Sequence, residues 1–226
     1  MRKILSSILF IFILNISYGK VLGKVDLPEG WEIKSSETKD NYKIDDFVVS
    51  KYIVQTIKTN ESEAVVEYLI FDNFDTLVKV FFSNLFNKKS IYLDLNSKTT
   101  YIIEGTPVDR KNILRFLRLP ILEQIKVVYK DIEDAEKFNL EIIKESDLNN
   151  NEINNITKDF GVSIERAKEQ VFKVKEGIGI SVIYFLCKNS NDANIAYKNA
   201  RIKNTSDLMT FLMSQNFLIR LTWVKI

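Results

Sequence analysis

Residues Ile91 to Leu117 read IYLDLNSKTTYIIEGTPVDRKNILRFL, and this stretch decides the fold class. Two runs rich in β-branched and aromatic residues, 90–95 and 99–105, flank the polar Asn96-Ser97-Lys98. That is the pattern of a hairpin. Thr106 then stands as a helix cap, with Pro107 at the first helical position and Asp109 in the first turn. Proline lacks the N–H that would go unpaired there, so the helix start is firm. A hairpin followed directly by a helix points to an α+β chain, with antiparallel sheet and helices packed on one face.

Towards the N-terminus the same logic gives strands over 45–58 and 63–71, joined at TNES. Residues 72–86 follow as a helix, with Phe74, Leu77, Val78, Phe81, Phe82, Leu85 and Phe86 on one face and Asp72 as cap. The Phe stripe is read as core. Residues 32–43 are polar and carry no period. Towards the C-terminus, the apolar spacing of 121–138 favours a helix whereas IKVVY (125–129) alone favours a strand, with helix preferred. Residues 139–146 are read as a strand, followed by a loop or helix start over 147–155. Strands are expected at 179–188 and 194–202, joined at NSND. A helix capped by Thr205-Ser206 and a closing strand over 217–226 complete the chain. The parallel between 91–117 and 183–212 suggests a duplicated αββα unit, 72–118 and 163–215, with halves at 20–118 and 119–226 that are two domains or one.

Residues 156–171, ITKDFGVSIERAKEQV, carry a second pattern. The spacing of Ile156, Gly161-Val162-Ser163, Ala167 and Val171 resembles the helix-turn-helix of bacterial DNA-binding proteins, which implies a recognition helix over 163–175. Thr157 stands where a small residue usually lets the two helices approach. Glu165 and Glu169 sit beside Arg166, Lys168 and Lys173, so acids repel the phosphates that the bases attract. The segment is read as a helical hairpin packed on the sheet.

The first residues point to a compartment. Arg2 and Lys3 precede the uncharged Ile4–Ile16, and Ser17-Tyr18-Gly19 supplies small residues for a signal peptidase, with Val21-Leu22-Gly23 as an alternative. The apolar run is thirteen residues long, against the roughly 20 that a membrane-spanning helix needs. No Cys follows to carry a lipid. A cleaved signal over 1–19 removes two of the 32 basic residues and none of the 30 acidic ones, leaving the mature chain formally neutral. A nucleic-acid binder needs a surplus of Lys and Arg. The abundance of Asn, Lys and Ile is that of an AT-rich bacterial genome.

Composition narrows the chemistry further. The chain has no His and a single Cys, Cys187, which excludes imidazole-based catalysis, intrachain disulfides and zinc or iron–sulfur clusters. Cys187 lies in the apolar SVIYFLCK and is read as a buried small hydrophobe. Carboxylate chemistry, Lys or Tyr acid–base work and oxygen-ligated cations remain. DLNSKTTYIIEG (94–105) begins like a calcium loop but has Lys98 at a ligand position and Gly105 where a Glu belongs. The oxygen-rich NSND (189–192) and DLNNNE (147–152) are read as turns. In DIEDAE (131–136), Asp131 and Asp134, with Glu133 and Lys137, are read as a solvated helix face. Gly177 and Gly179 lead from a helix into a strand, the reverse of a dinucleotide loop.

No residue is therefore singled out as catalytic, cofactor-binding or metal-ligating, and no cofactor is expected. The leading expectation is an exported bacterial binding or cell-envelope assembly module, periplasmic or secreted. Its partner is an unknown protein or small molecule of the envelope, not nucleic acid, and it keeps no stable membrane anchor after signal cleavage. A carboxylate-dependent extracytoplasmic hydrolase is the alternative, and a helix-turn-helix DNA-binding protein a further one.

Overall fold

The hairpin and capped helix of residues 91–117 stand as the sequence predicts. In the computed structural model, which describes residues 21–23, 27–60, 62–83, 85, 91–119, 121, 141–203 and 209–226, β4 (Ile91–Asp94) pairs with β5 (Thr99–Glu104), and α2 (Pro107–Leu117) follows. Thr106 Oγ1 accepts from the Asp109 N–H and the Asp109 carboxylate accepts from the Thr106 N–H, a closed capping box. Ahead of them lie β1 (Glu32–Ile44), β2 (Phe47–Lys58), β3 (Glu63–Ile70) and α1 (Phe74–Phe81). Beyond come β6 (Glu141–Asp147), α3 (Asn150–Phe160), β7 (Ile164–Lys175), β8 (Ile178–Cys187), α4 (Ser190–Lys203), β9 (Met209–Ser214) and β10 (Phe217–Lys225).

The chain is α+β, with two antiparallel five-stranded sheets. Their strand orders are β1-β2-β3-β5-β4 and β6-β7-β8-β10-β9. Both are a three-strand meander, a helix and a hairpin whose second strand pairs with the meander. The repeated unit is thus βββαββ, with α1 and α4 as the equivalent crossovers, and not the αββα register expected from 72–118 and 163–215. Helix α3 is inserted between the first two strands of the second unit.

Four segments differ from the sequence reading. Residues 32–44 form β1, a strand hidden in the sequence because its exposed face and edge position leave it polar. Residues 164–175 are β7 and not a helix, so neither the helical hairpin nor the recognition helix expected over 163–175 is present. Gly161 ends α3 at φ 69, and the chain then pairs with β6 on one side and β8 on the other. Two ladders outweigh the helix preference of ERAKEQ. Residues 194–202 belong to α4 and not to a strand, with Ala193, Ala196 and Ala200 buried at helical spacing. Residues 209–214 form β9, hydrogen-bonded to β10, where a helix was expected. The cap of α1 is Asn73 rather than Asp72, and the helix ends at Phe81. The helix read over 121–138 lies outside the described residues apart from Ile121, as do Phe86, the Thr205-Ser206 cap and residues 1–19.

The main core runs through both halves. Tyr92, Tyr101, Tyr68 and Ile53 face one another across β4, β5, β3 and β2. They join Phe172, Ile180, Val182, Tyr184, Phe217 and Ile219 from one face of the second sheet. The other face of that sheet packs Ala167, Ile183, Phe185, Cys187 and Leu218 under Phe160 of α3 and the alanines of α4.

A polar seam on β7 ties the halves together. Lys168 Nζ donates to the Phe81 carbonyl at 2.7 Å and to Glu145 at 3.3 Å, beneath the Phe81 ring at 5.0 Å. Arg166 donates to the Phe82 carbonyl at 2.7 Å, and Gln170 to the Ile91 carbonyl at 2.8 Å and Glu145 at 2.7 Å. Cations on the last carbonyls of α1 also complement its dipole. Among the described residues, no helix is long and apolar enough to cross a membrane.

Candidate functional site

A cleft of about 370 Å³ opens between the tip of the β1–β2 hairpin and the first turns of α1. The hairpin contributes Asn41, Asp46, Phe47, Val48 and Ser50. Helix α1 contributes Asp72, Asn73 and Thr76 from its start and Lys79 from its last turn.

Local backbone chemistry shapes this cleft. Asn41 is left-handed at φ 49 near the end of β1, and Asp45 is left-handed at φ 50 in the hairpin turn. Asn and Asp tolerate that region better than other residues with a side chain. The Asn41 kink has a visible consequence. Lys39 is the ladder partner of Tyr52, so Tyr42, three residues on, belongs on the opposite face of a regular strand. Instead Tyr42 stacks on Tyr52 at 4.8 Å and 11°. Lys39 sits over the Tyr42 ring at 4.9 Å, and the Tyr52 hydroxyl donates to Glu67 at 2.6 Å. Burial and the Glu67 hydrogen bond push the Tyr52 phenol upward, so it stays a donor. This column holds the hairpin beside the kink.

The helix wall is fixed as well. Asn73 Oδ1 accepts from the Thr76 N–H at 2.8 Å, and Lys98 Nζ donates to the Asp72 carbonyl. Ser50 Oγ donates to the Ile70 carbonyl at 2.8 Å, pinning β2 to the end of β3. The cleft therefore presents amides, hydroxyls, two carboxylates and one ammonium on a rigid frame, beside the ring of Phe47. Such a lining can hold a small polar ligand through several hydrogen bonds at once.

The positions raised by the sequence lie elsewhere. Asp94 spends its carboxylate on its own turn, accepting from Asn96 N, Ser97 N and Ser97 Oγ. Asn189 accepts from the Asp192 N–H at the start of α4, and Asn149 and Glu152 form the capping box of α3. NSND and DLNNNE are thus helix starts and not ligand loops. Gly177, at φ 72, makes the β7–β8 turn, and a Cβ at Gly179 would crowd the Phe172 carbonyl at 3.0 Å. Cys187 is fully buried and burial pushes its thiol up to about 11, as expected of a packing residue. Residues 131–136 lie outside the described residues. Among the described residues, no group of three or more Cys, Asp or Glu is arranged to hold a metal.

Among the described residues, two carboxylates are displaced from their ordinary range, both downward and in different halves. Burial raises Asp109, but hydrogen bonds from Ser62 and Thr106 outweigh it. Burial likewise raises Glu169, and Ser181 together with Lys144 outweighs it. Ser181 Oγ donates to Glu169 at 2.6 Å and Lys144 Nζ donates to the same carboxylate at 3.0 Å. The array resembles a nucleophile and its base, yet Ser181 is only 3% exposed and a carboxylate held low is a weak base.

The sequence reading missed the cleft residues. The visible signal was Asn41 with Asp45-Asp46, turn-forming residues where the polar stretch meets the strand read over 45–58. Comparison with protein-family models, with curated proteins and with solved structures finds no match to this chain.

Proposed function

We propose that this chain is an exported, non-enzymatic binding module of a bacterial cell envelope, and that the cleft between the β1–β2 hairpin and α1 takes its ligand. The observation that carries this reading is the cleft itself, in which the amides of Asn41 and Asn73, the hydroxyls of Ser50 and Thr76 and the charged groups of Asp46, Asp72 and Lys79 line one cavity. The charged start, short apolar run and small residues of 1–19 support export.

The lining favours a small neutral or dipolar ligand over a strong ion. Asp46 and Asp72 repel an anion, whereas Lys79 and the N-terminal end of α1 repel a cation.

Amide NMR spectra of the mature protein, titrated with a low-molecular-mass extract of the cell envelope, test this reading. Saturable shifts confined to Asn41, Ser50, Asn73 and Thr76 are expected. Asn41→Gly keeps the backbone freedom but deletes the amide and should weaken binding about tenfold, the scale of one lost hydrogen bond to a ligand. Shifts clustered away from these residues, or none, contradict the assignment.

A further inference from the structure

Leu22 lies between the two candidate cleavage points of the leader, and the structure distinguishes them. Its side chain is 2% exposed and belongs to the main core. Its backbone is held by two of the most buried polar groups of the first sheet. The Leu22 N–H donates to the Tyr68 hydroxyl at 3.3 Å, and Gln55 Nε2 donates to the Leu22 carbonyl at 3.0 Å. The Tyr68 hydroxyl in turn donates to Gln55 Oε1 at 2.6 Å, closing the ring. Tyr68 is fully buried and Gln55 only 3% exposed.

We infer that Leu22 is an interior plug of the mature protein, so processing falls after Gly19 and never after Gly23. Cleavage after Gly23 would remove an apolar side chain from the core. It would also remove the two hydrogen bonds that the Leu22 backbone makes with the Tyr68 hydroxyl and the Gln55 amide. Losing buried hydrogen bonds adds to the cost of the lost apolar contact. The segment Val21–Gly23 thus does the work of an added element, covering Gln55 and Tyr68 from outside the sheet. The inference rests on residues 1–19 being a removed leader, and its test separates the two claims.

Two measurements decide it. The intact mass of the protein purified from its native cells should correspond to a chain beginning at Lys20. In parallel, recombinant chains beginning at Lys20 and at Lys24 are melted, together with Leu22→Ala in the longer one. The Lys24 chain should melt lower by roughly 10 °C or more, and Leu22→Ala should fall between. A native chain beginning at Lys24 overturns the plug while leaving export intact. A native chain beginning at Met1 removes the leader reading, and the melting pair then judges the plug alone. Equal melting of the Lys20 and Lys24 chains overturns it in either case.

Discussion

Lys168 shows how much one residue can decide. Its side chain is 6% exposed, and its ammonium is surrounded by the Phe81 carbonyl, the Glu145 carboxylate and two aromatic faces. Replacing it by Met would leave Glu145 without its cation and the Phe81 carbonyl without its donor. The expected loss is about 3 kcal/mol, the scale for breaking a largely buried pair, read as a lower denaturant midpoint at unchanged slope. Acid sensitivity belongs to this scale too. Asp109 and Glu169 are held below their ordinary values of 3.8 and 4.5, so the stability they contribute is complete above those values and lost as pH falls beneath them. Denaturation midpoints should therefore be flat from neutrality to about pH 5 and then fall, and Asp109→Asn should flatten part of that fall. A midpoint rising towards acid contradicts the sign.

At the scale of elements, what was legible depended on where the signal sits. The start of α2 is written locally, since Thr106, Pro107 and Asp109 specify the cap without help from the rest of the chain. Strand β7 is not, because Lys168 and Gln170 point into the interior and donate there to carbonyls of α1 and β4. A polar residue facing inward breaks the alternation on which strand reading depends. Helix α4 was misread because its buried face is alanine, which adds little hydrophobic contrast. That face also yields a test. Ala196 is fully buried between α4 and the sheet. Ala196→Leu should cost roughly 1–3 kcal/mol by overpacking, whereas a strand at this position with a solvent face would tolerate it. Amide exchange offers a second check on β7. Paired on both sides, the amides of residues 166–172 should rank among the slow ones, and rapid exchange there would contradict a central strand. The cleft was illegible for a related reason. Asn41 draws its meaning from a kink in a polar edge strand, which no periodic pattern announces.

For the whole molecule, duplication and the shared core pull in different directions. Two copies of one βββαββ unit could have remained separate, yet the seam on β7 and the cluster around Tyr92 and Phe172 join them through shared buried contacts. The protein should therefore unfold in a single transition, with calorimetric and van't Hoff enthalpies equal, and two resolved transitions would show independent halves. The functional reading depends most on compartment, because neutrality, the lack of His and the short apolar start all acquire their meaning from a life outside the cytoplasm. Fractionating native cells and locating the protein against a cytosolic marker tests this most directly. The account predicts recovery in the periplasm or medium, and recovery with the cytosolic marker would contradict it.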